Sequence, residues 1–456
     1  MTETRNNIFG TDGIRDVGGE GLLTPGSVDR IGSALARHLE EVGHSAGRVL
    51  TARDPRTSGP LIEAQLTAAL KREGKHPRSG GVLPTPAVSL LVASGEAELG
   101  VVLSASHNPP QYNGIKVVTA TGRKLSVEEE ISITAFYESE EDLSGENLPA
   151  VEEDPGAGER YLALLESGFP SAGFLEGMHI VLDCAHGATC QWAPEIFARA
   201  DARTETIHGE PDGLLINTGC GSVHPEDLSR QVLESGAQLG IAFDGDGDRA
   251  TLVDEKGAVV DGDEAMVIWG LALLERGELV PPIVVCSVMS NAGMVAHLRE
   301  NGIEVVQTPV GDRKVHETMV TRSAVLGGEQ SGHIIDRRAC PTGDGIRTGL
   351  AIAHRAKETG VGLSELRRGI PRFPQVLEGI EVTARPPIES LEILSRAIAD
   401  GRETLGDRGR ILVRYSGTEK LLRILVEGPQ EAENQRLLDS LIEAARQQPA
   451  LGCRTP

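Results

Sequence analysis

The segment Phe243-Asp-Gly-Asp-Gly-Asp-Arg249 places three aspartates at alternate positions, separated by glycines. That spacing lets Asp244, Asp246 and Asp248 turn their carboxylates toward one hard cation, and an all-oxygen set favours Mg²⁺ or Ca²⁺ over zinc. A helix-flanked calcium loop is excluded. Arg249 stands where that loop needs glycine, and Leu239-Gly-Ile-Ala242 and Ala250-Thr-Leu-Val253 read as strands. An acidic solvated turn is the plainer alternative, but three stacked carboxylates call for a counter-charge.

Three further loops carry chemistry. Ser104-Ala-Ser-His-Asn-Pro-Pro110 follows the apolar run Leu99-Gly-Val-Val-Leu103, and α/β proteins present reactive groups at the carboxyl ends of strands. Ser106, beside His107, is a nucleophile, a hydroxyl that carries a phosphoryl group, or part of a simple Ser/Asn turn. Lys116, at the start of the next strand, is a solvated group or an acid/base. Gly327-Gly-Glu-Gln-Ser-Gly-His333 offers a carboxylate, an amide, a hydroxyl and an imidazole in a glycine-rich turn, a set suited to sugar hydroxyls. Arg414-Tyr-Ser-Gly-Thr-Glu-Lys420 holds Arg414, Ser416, the amide of Gly417, and Thr418, the constituents of a phosphate nest, with an ST-turn as the bland alternative. Arg423 lies in the following strand. A serine loop, a three-carboxylate loop, a hydroxyl-binding loop and a phosphate nest together describe metal-assisted phosphoryl transfer on a sugar.

The elements that must position these loops recur as short β-branched runs followed by longer Ala/Leu/Glu/Arg stretches, which predicts α/β units on largely parallel sheets. Breaks fall in the acidic 138–158 stretch, near 257–262 and in the proline-rich 371–387 stretch. They divide the chain into 1–157 with the serine loop, 158–260 with the metal loop, 261–372 with the sugar loop and a smaller 373–456 with the phosphate loop. Four pieces suit 456 residues.

Composition bounds the class. With 39% hydrophobic and 24% charged residues the chain is not disordered, and 3% aromatics make its cores aliphatic. A formal charge of −23 argues against a nucleic-acid binder, though not against a small anion. No apolar run is long enough for a membrane span, and the stretch before Ile8 has no apolar signal core. Six cysteines (184, 190, 220, 286, 340 and 453) without a Cys-x-x-Cys pair predict reduced thiols in a cytoplasmic protein, with neither a zinc site nor a disulfide framework.

In this order the four loops resemble those of the α-D-phosphohexomutase superfamily, from Phe9 to about Gly428. Phe9-Gly-Thr-Asp-Gly-Ile-Arg15, Gln330 and Cys220-Gly-Ser-Val-His-Pro-Glu226 are most similar to its glucosamine branch, as are Val310-Gly-Asp-Arg313 and Thr342-Gly-Asp-Gly345. Lys420 and Lys314 depart from that branch, and Pro109-Pro-Gln-Tyr-Asn-Gly-Ile-Lys116 looks more like the mannose/glucose branch. The resemblance implies three related α/β domains with mixed or parallel sheets and a smaller, mobile α+β C-terminal domain around a central cleft. It implies that Ser106 is carried as phosphoserine and holds Mg²⁺, one per site, with Asp244, Asp246 and Asp248. Glucosamine 6-phosphate and glucosamine 1-phosphate would interconvert through a sugar 1,6-bisphosphate, which is also the activator; mannose or glucose phosphates are the alternative substrates. Lys116 and His333 match positions near proton transfer, and Arg15 and Arg249 match charge-stabilising ones. Glu329 and Ser331 would bind sugar hydroxyls. Arg414, Ser416, Gly417, Thr418 and Arg423 would hold the non-reacting phosphate. A homodimer, and a kinase or autophosphorylation acting first on Ser106, are carried as open expectations. A catalytically dead sensor on the same scaffold is the reading from another class; Ser106, the three aspartates and Arg414 speak against it.

Overall fold

The computed structural model describes residues 7–10, 12–44, 47–145, 148–170, 173–406, 409–416 and 420–452. Two compact units form. The first comprises 1–288 with 306–368, and the second 289–305 with 369–456. The expected Gly417 and Thr418, with Glu419, lie outside the described residues.

Within the first unit, one five-stranded sheet takes the order β1-β5-β4-β2-β3 from β1 (Ile14–Val17), β2 (Arg48–Arg53), β3 (His76–Val82), β4 (Leu99–Leu103) and β5 (Tyr112–Thr119). A second, in the order β10-β9-β8-β6-β7, is built from β6 (His179–Asp183), β7 (Arg203–Ile207), β8 (Leu239–Phe243), β9 (Ala250–Asp254) and β10 (Val259–Val260). The third, in the order β12-β11-β13-β14, uses β11 (Ile283–Ser287), β12 (Glu304–Thr308), β13 (Leu326–Gly328) and β14 (Ile334–Asp336). β4, β8, β9 and β11 are buried at every position, as strands must be when helices cover both faces of a sheet. The core between β1, β4, β5 and the helices Pro25–Glu41 and Gly59–Arg72 is almost wholly aliphatic, from Ile14 and Leu35 to Val101 and Ile115.

The sheets are mixed rather than largely parallel. β4 and β5 pair antiparallel, as do β8 and β9 and also β13 and β14, while β2–β4 and β6–β8 are parallel. The reason is loop length. Residues 104–111, 244–249 and 329–333 are each too short for a parallel crossover, which needs about a dozen residues or more. The serine, metal and sugar loops are therefore hairpin connections, each gripped on both sides by buried strands.

In the second unit β15 (Gln375–Glu381), β16 (Arg410–Tyr415) and β17 (Leu421–Glu427) form an antiparallel sheet in the order β15-β17-β16. Helices Glu392–Leu405 and Glu431–Arg446 close a core of Ile380, Leu394, Ile424, Leu438 and their neighbours.

Candidate active site

Ser106 sits at φ +53°, a left-handed conformation that a serine adopts only when its surroundings impose it. The imposing group is Arg56, whose side chain is fully buried. Its guanidinium donates to the backbone carbonyls of Ser106 (3.0 Å), Asn108 (2.7 Å), Pro109 (2.5 Å) and Tyr112 (2.8 Å), and to Asp54 Oδ2 (2.9 Å). Asn217 Nδ2, from the loop after β7, donates to the Ser106 and Asn108 carbonyls (2.8 and 3.1 Å). Ser104 links the two parts by accepting from the Ser106 amide (2.9 Å) and donating to Asp54 (2.6 Å). The serine loop is thus cross-braced from beneath, and the Ser106 hydroxyl donates to Asp244 Oδ2 at 2.6 Å.

Asp244, Asp246 and Asp248 are all buried, and one carboxylate oxygen from each lies within 4.8 Å of the others. The intervening glycines make this approach possible. A Cβ on Gly245 would stand 2.7 Å from the Ser106 carbonyl oxygen, and Gly247 takes φ +70°. Asp246 Oδ1 and Asp248 Oδ1 are buried without a hydrogen-bond partner. Burial and the charges of Asp248 and Asp246 push the Asp244 carboxyl well up. Orphaned carboxylate oxygens and mutual repulsion around an all-oxygen set fit a divalent hard cation.

The other charges converge on this loop. Lys116 Nζ reaches Asp246 Oδ2 (2.7 Å), Asp248 Oδ2 (3.1 Å) and Asp12 Oδ2 (3.3 Å). Burial works against the ammonium, but Asp12, Asp246 and Asp248 outweigh it and hold Lys116 well above its ordinary value, so it is a cation. Thr85 donates to Asp246 Oδ2 at 2.5 Å. The Arg249 amide donates to Asp244 Oδ1 (3.1 Å), and its guanidinium stands 3.7 Å from Asp248. Arg15 pairs with Asp12 and reaches Asn108 Oδ1 at 3.4 Å. His333 lies with Nδ1 3.5 Å from Asp248 Oδ1 and Nε2 3.5 Å from Asp312 Oδ2, while Nε2 accepts from the Gly343 amide at 3.0 Å. Burial opposes charge on His333, yet Asp248 and Asp312 raise it overall. Beside Ser106, burial together with Arg249 and Arg15 lowers His107 to about 4, which leaves that ring neutral.

The structure therefore gathers Ser106, the three aspartates, Lys116, Arg249, Arg15 and His333. It adds residues that sequence reasoning did not single out: Asp12, Lys124, Asp312, Arg56, Asn217 and Thr85. Lys124 bridges Asp12 and Asp312. The segments holding Asp12 and Asp312 stood out only by their likeness to the glucosamine branch, and nothing local marks which charges turn inward. Glu329 accepts from the Gly311 amide at 3.1 Å, and Ser331 is exposed at the tip of its loop. That loop is pinned from behind, where the amides of Gly262 and Ala250 donate to the Gln330 and Gly332 carbonyls.

In the second unit, Arg414 and Arg423 are directly opposed across β16 and β17, on one face of the sheet. Like charges in a cross-strand pair repel, so this pair is suited to an anion. Ser416 follows at the end of β16 and is buried.

A serine hydroxyl braced against a loop of three converging carboxylates is the arrangement expected of the phosphohexomutase class. The chain belongs to the phosphoglucomutase/phosphomannomutase family: models of its alpha/beta/alpha domains I, II and III match residues 6–144, 159–257 and 261–373, and that of its C-terminal domain matches 378–444. It is an intramolecular phosphotransferase of the isomerase type. It is 46% identical over 444 residues to a phosphoglucosamine mutase of Moorella thermoacetica, covering 96% of this chain and 99% of that one. To a phosphoglucosamine mutase of Rhodococcus jostii it is 41% identical over 439 residues, 95% of this chain and 98% of that one. Among solved structures, a phosphoglucomutase/phosphomannomutase family protein from Burkholderia thailandensis shares the fold with a TM-score of 0.81 at 23% identity, covering 98% and 99% of the two chains. An Aspergillus fumigatus N-acetylphosphoglucosamine mutase, solved with GlcNAc-6P and magnesium, gives 0.64 at 17% identity over 97% and 96%.

Proposed function

We propose that the chain interconverts glucosamine 6-phosphate and glucosamine 1-phosphate, with Ser106 carried as phosphoserine and a sugar 1,6-bisphosphate formed in the site. The observation that carries the chemistry is the Ser106 hydroxyl 2.6 Å from Asp244, on a loop whose backbone Arg56 and Asn217 immobilise. The substrate rests on the likeness to phosphoglucosamine mutases.

Mg²⁺, held by Asp244, Asp246, Asp248 and the Ser106 phosphate, would neutralise charge on the transferred phosphoryl group. The chain's own residues do the rest. Around Ser106, five carboxylates (Asp12, Asp244, Asp246, Asp248, Asp312) face the cations Lys116, Lys124, Arg15 and Arg249. Fixed charges of this kind need no reorganisation when charge moves between serine and sugar oxygens. Arg15 and Arg249 flank Ser106 and orient the phosphoryl group. Lys116, a buried cation, would protonate the serine oxygen as it leaves and be reprotonated by the proton released from the attacking sugar hydroxyl, with the reverse on return. His333, with both ring nitrogens facing protein groups, positions Asp248. Glu329 and Ser331 meet sugar hydroxyls, and Arg414, Ser416, Gly417, Thr418 and Arg423 hold the phosphate that does not react. The bisphosphate turns over between the two half-reactions and serves as activator; a kinase or autophosphorylation first charges Ser106. The division 1–157, 158–260, 261–372 and 373–456 gives each loop its own domain. The five described cysteines are buried and none forms a disulfide, which fits a reducing, cytoplasmic setting. Sedimentation of the full chain tests the homodimer.

The test is turnover of glucosamine, glucose and mannose phosphates side by side, with Mg²⁺ and trace bisphosphate. A kcat/KM preference for glucosamine phosphate of about a hundredfold, ~2.7 kcal/mol of discrimination, supports the assignment. Comparable rates on glucose or mannose phosphates overturn the substrate and keep the chemistry. Turnover surviving in Ser106→Ala sinks the phosphoserine route.

A further inference from the structure

At the carboxyl ends of β6 and β7, three residues from three separate segments meet. Asp183 closes β6, His208 follows β7, and Cys220 lies in the loop between β7 and the helix Glu226–Ser235. One ligand atom from each, a carboxylate oxygen, a ring nitrogen and the sulfur, lies within 4.8 Å of the other two. Asp183 and Cys220 are fully buried, whereas the His208 side chain is 23% exposed and gives the cluster a path to solvent.

We propose that Asp183, His208 and Cys220 form a second cation site, for a borderline transition ion of the Zn²⁺ class. Bonds of about 2.0–2.3 Å in a tetrahedral shell set donors roughly 3.3–3.8 Å apart, so the three need to close by only about 1 Å. Sulfur, nitrogen and oxygen together select such an ion over Mg²⁺, which the oxygen-only aspartate loop prefers. Three protein ligands leave a fourth position for water.

The surroundings are built to hold the ligands. Asp183 accepts the Ala185 amide on Oδ1 and the Gly221 amide on Oδ2, both at 2.9 Å, which fixes its carboxylate and ties Cys220's neighbour to it. His208 Nδ1 faces Asp183 Oδ1 at 3.1 Å, an ion pair when the ring is protonated, and a bound cation would take the place of that proton. Four non-glycine residues around the cluster, Ala185, His186, His208 and Asn217, take positive φ between 47° and 60°. Strain of this kind is maintained where it aims a side chain. The competing state is a protonated His208 between Asp183 and Asp227 Oδ2, 3.6 Å from Nε2; the thiol has no role in it. Sequence reading saw no zinc motif because the ligands stand at positions 183, 208 and 220, with no short spacing to betray them.

The experiment uses the full chain, stripped by chelator and then held in excess Mg²⁺ so that the aspartate loop is saturated. Co²⁺ is added as the probe, and the thiolate-to-cobalt charge-transfer band is followed. One equivalent per chain with that band, displaced by Zn²⁺ and lost in both Cys220→Ser and His208→Asn, is the expected result. Absence of a thiolate band overturns the proposal, and so does a band that persists in His208→Asn, because Cys184 or Cys190 would then be the source. Far-UV circular dichroism checks folding, and the more exposed His208→Asn carries the test if Cys220→Ser fails to fold.

Discussion

Replacing Arg56 with methionine keeps most of the side-chain volume and deletes every hydrogen bond of the guanidinium. The Asp54 carboxylate, fully buried, is left with the Ser104 hydroxyl and the residue-56 amide. Burial already pushes Asp54 above the usual carboxylate range against the pull of Arg56, so its loss drives the group further toward protonation. Breaking a buried ion pair from one side costs about 3–5 kcal/mol. The loop carbonyls add less than the usual ~1–3 kcal/mol each, since Ser106 and Asn108 keep Asn217 and Pro109 keeps the Tyr112 amide. We therefore expect a loss of about 3–5 kcal/mol in urea unfolding, with kcat down by about 10²-fold as Ser106 drifts by about 1 Å. The double variant Asp54→Asn/Arg56→Met removes the stranded charge and should regain most of the stability. It should not regain kcat, because the loop carbonyls still lack their brace. An Arg56→Met enzyme with unaltered urea midpoint and kcat refutes the reasoning, and so does a double variant no more stable than the single one.

Chelation should abolish turnover and Mg²⁺ should restore it; Mg²⁺ at about a hundred times its Kd should also raise stability by ~2.7 kcal/mol, measured by unfolding with and without the ion. Lys116→Met strands Asp246, Asp248 and Asp12, so without Mg²⁺ it should unfold about 3–5 kcal/mol sooner, and the ion should recover more stability there than in the parent. Arg414→Ala removes one of two opposed arginines; loss of a charge-assisted contact of about 1.5–3 kcal/mol should raise KM roughly 10- to 100-fold, and an unchanged KM would remove it from the phosphate site. Asp344 is buried, caps the helix Gly345–Thr359 and accepts from Tyr161; burial raises its carboxyl to about 6. Because the folded value lies above the unfolded 3.8, its contribution is fully present below about pH 4 and is lost as pH rises toward 6, a swing of about 3 kcal/mol. Asp344→Asn should flatten that slope and be more stable than the parent at pH 7, but not at pH 4, in urea titrations at the two values.

Local chemistry was legible in the residues themselves. Alternating Asp and Gly at 244–248 is a short-range pattern, and the hairpin that displays it follows from two apolar runs with six residues between them. The serine loop was readable in the same way, as was the aliphatic character of the cores. Largely parallel sheets were expected because apolar runs alternate with helical stretches; the antiparallel returns come from loop length, a separate constraint.

What the sequence could not disclose is which charges face each other, since that depends on contacts across long stretches of chain. Lys116 meets Asp246 across 130 residues, and Lys124 meets Asp312 across 188. Read locally, a lysine is by default a solvated surface group, because an unpaired ammonium is too costly to bury, and an acid/base role for Lys116 stays an open alternative. Only the packed sheets bring in the carboxylates that make burial affordable, and the same convergence sets Arg56 under the serine loop and Asp183 beside His208 and Cys220. Residue order determined the loops, their composition and the strands that grip them; tertiary structure decided their electrostatics, because Coulombic partners are chosen by distance in space.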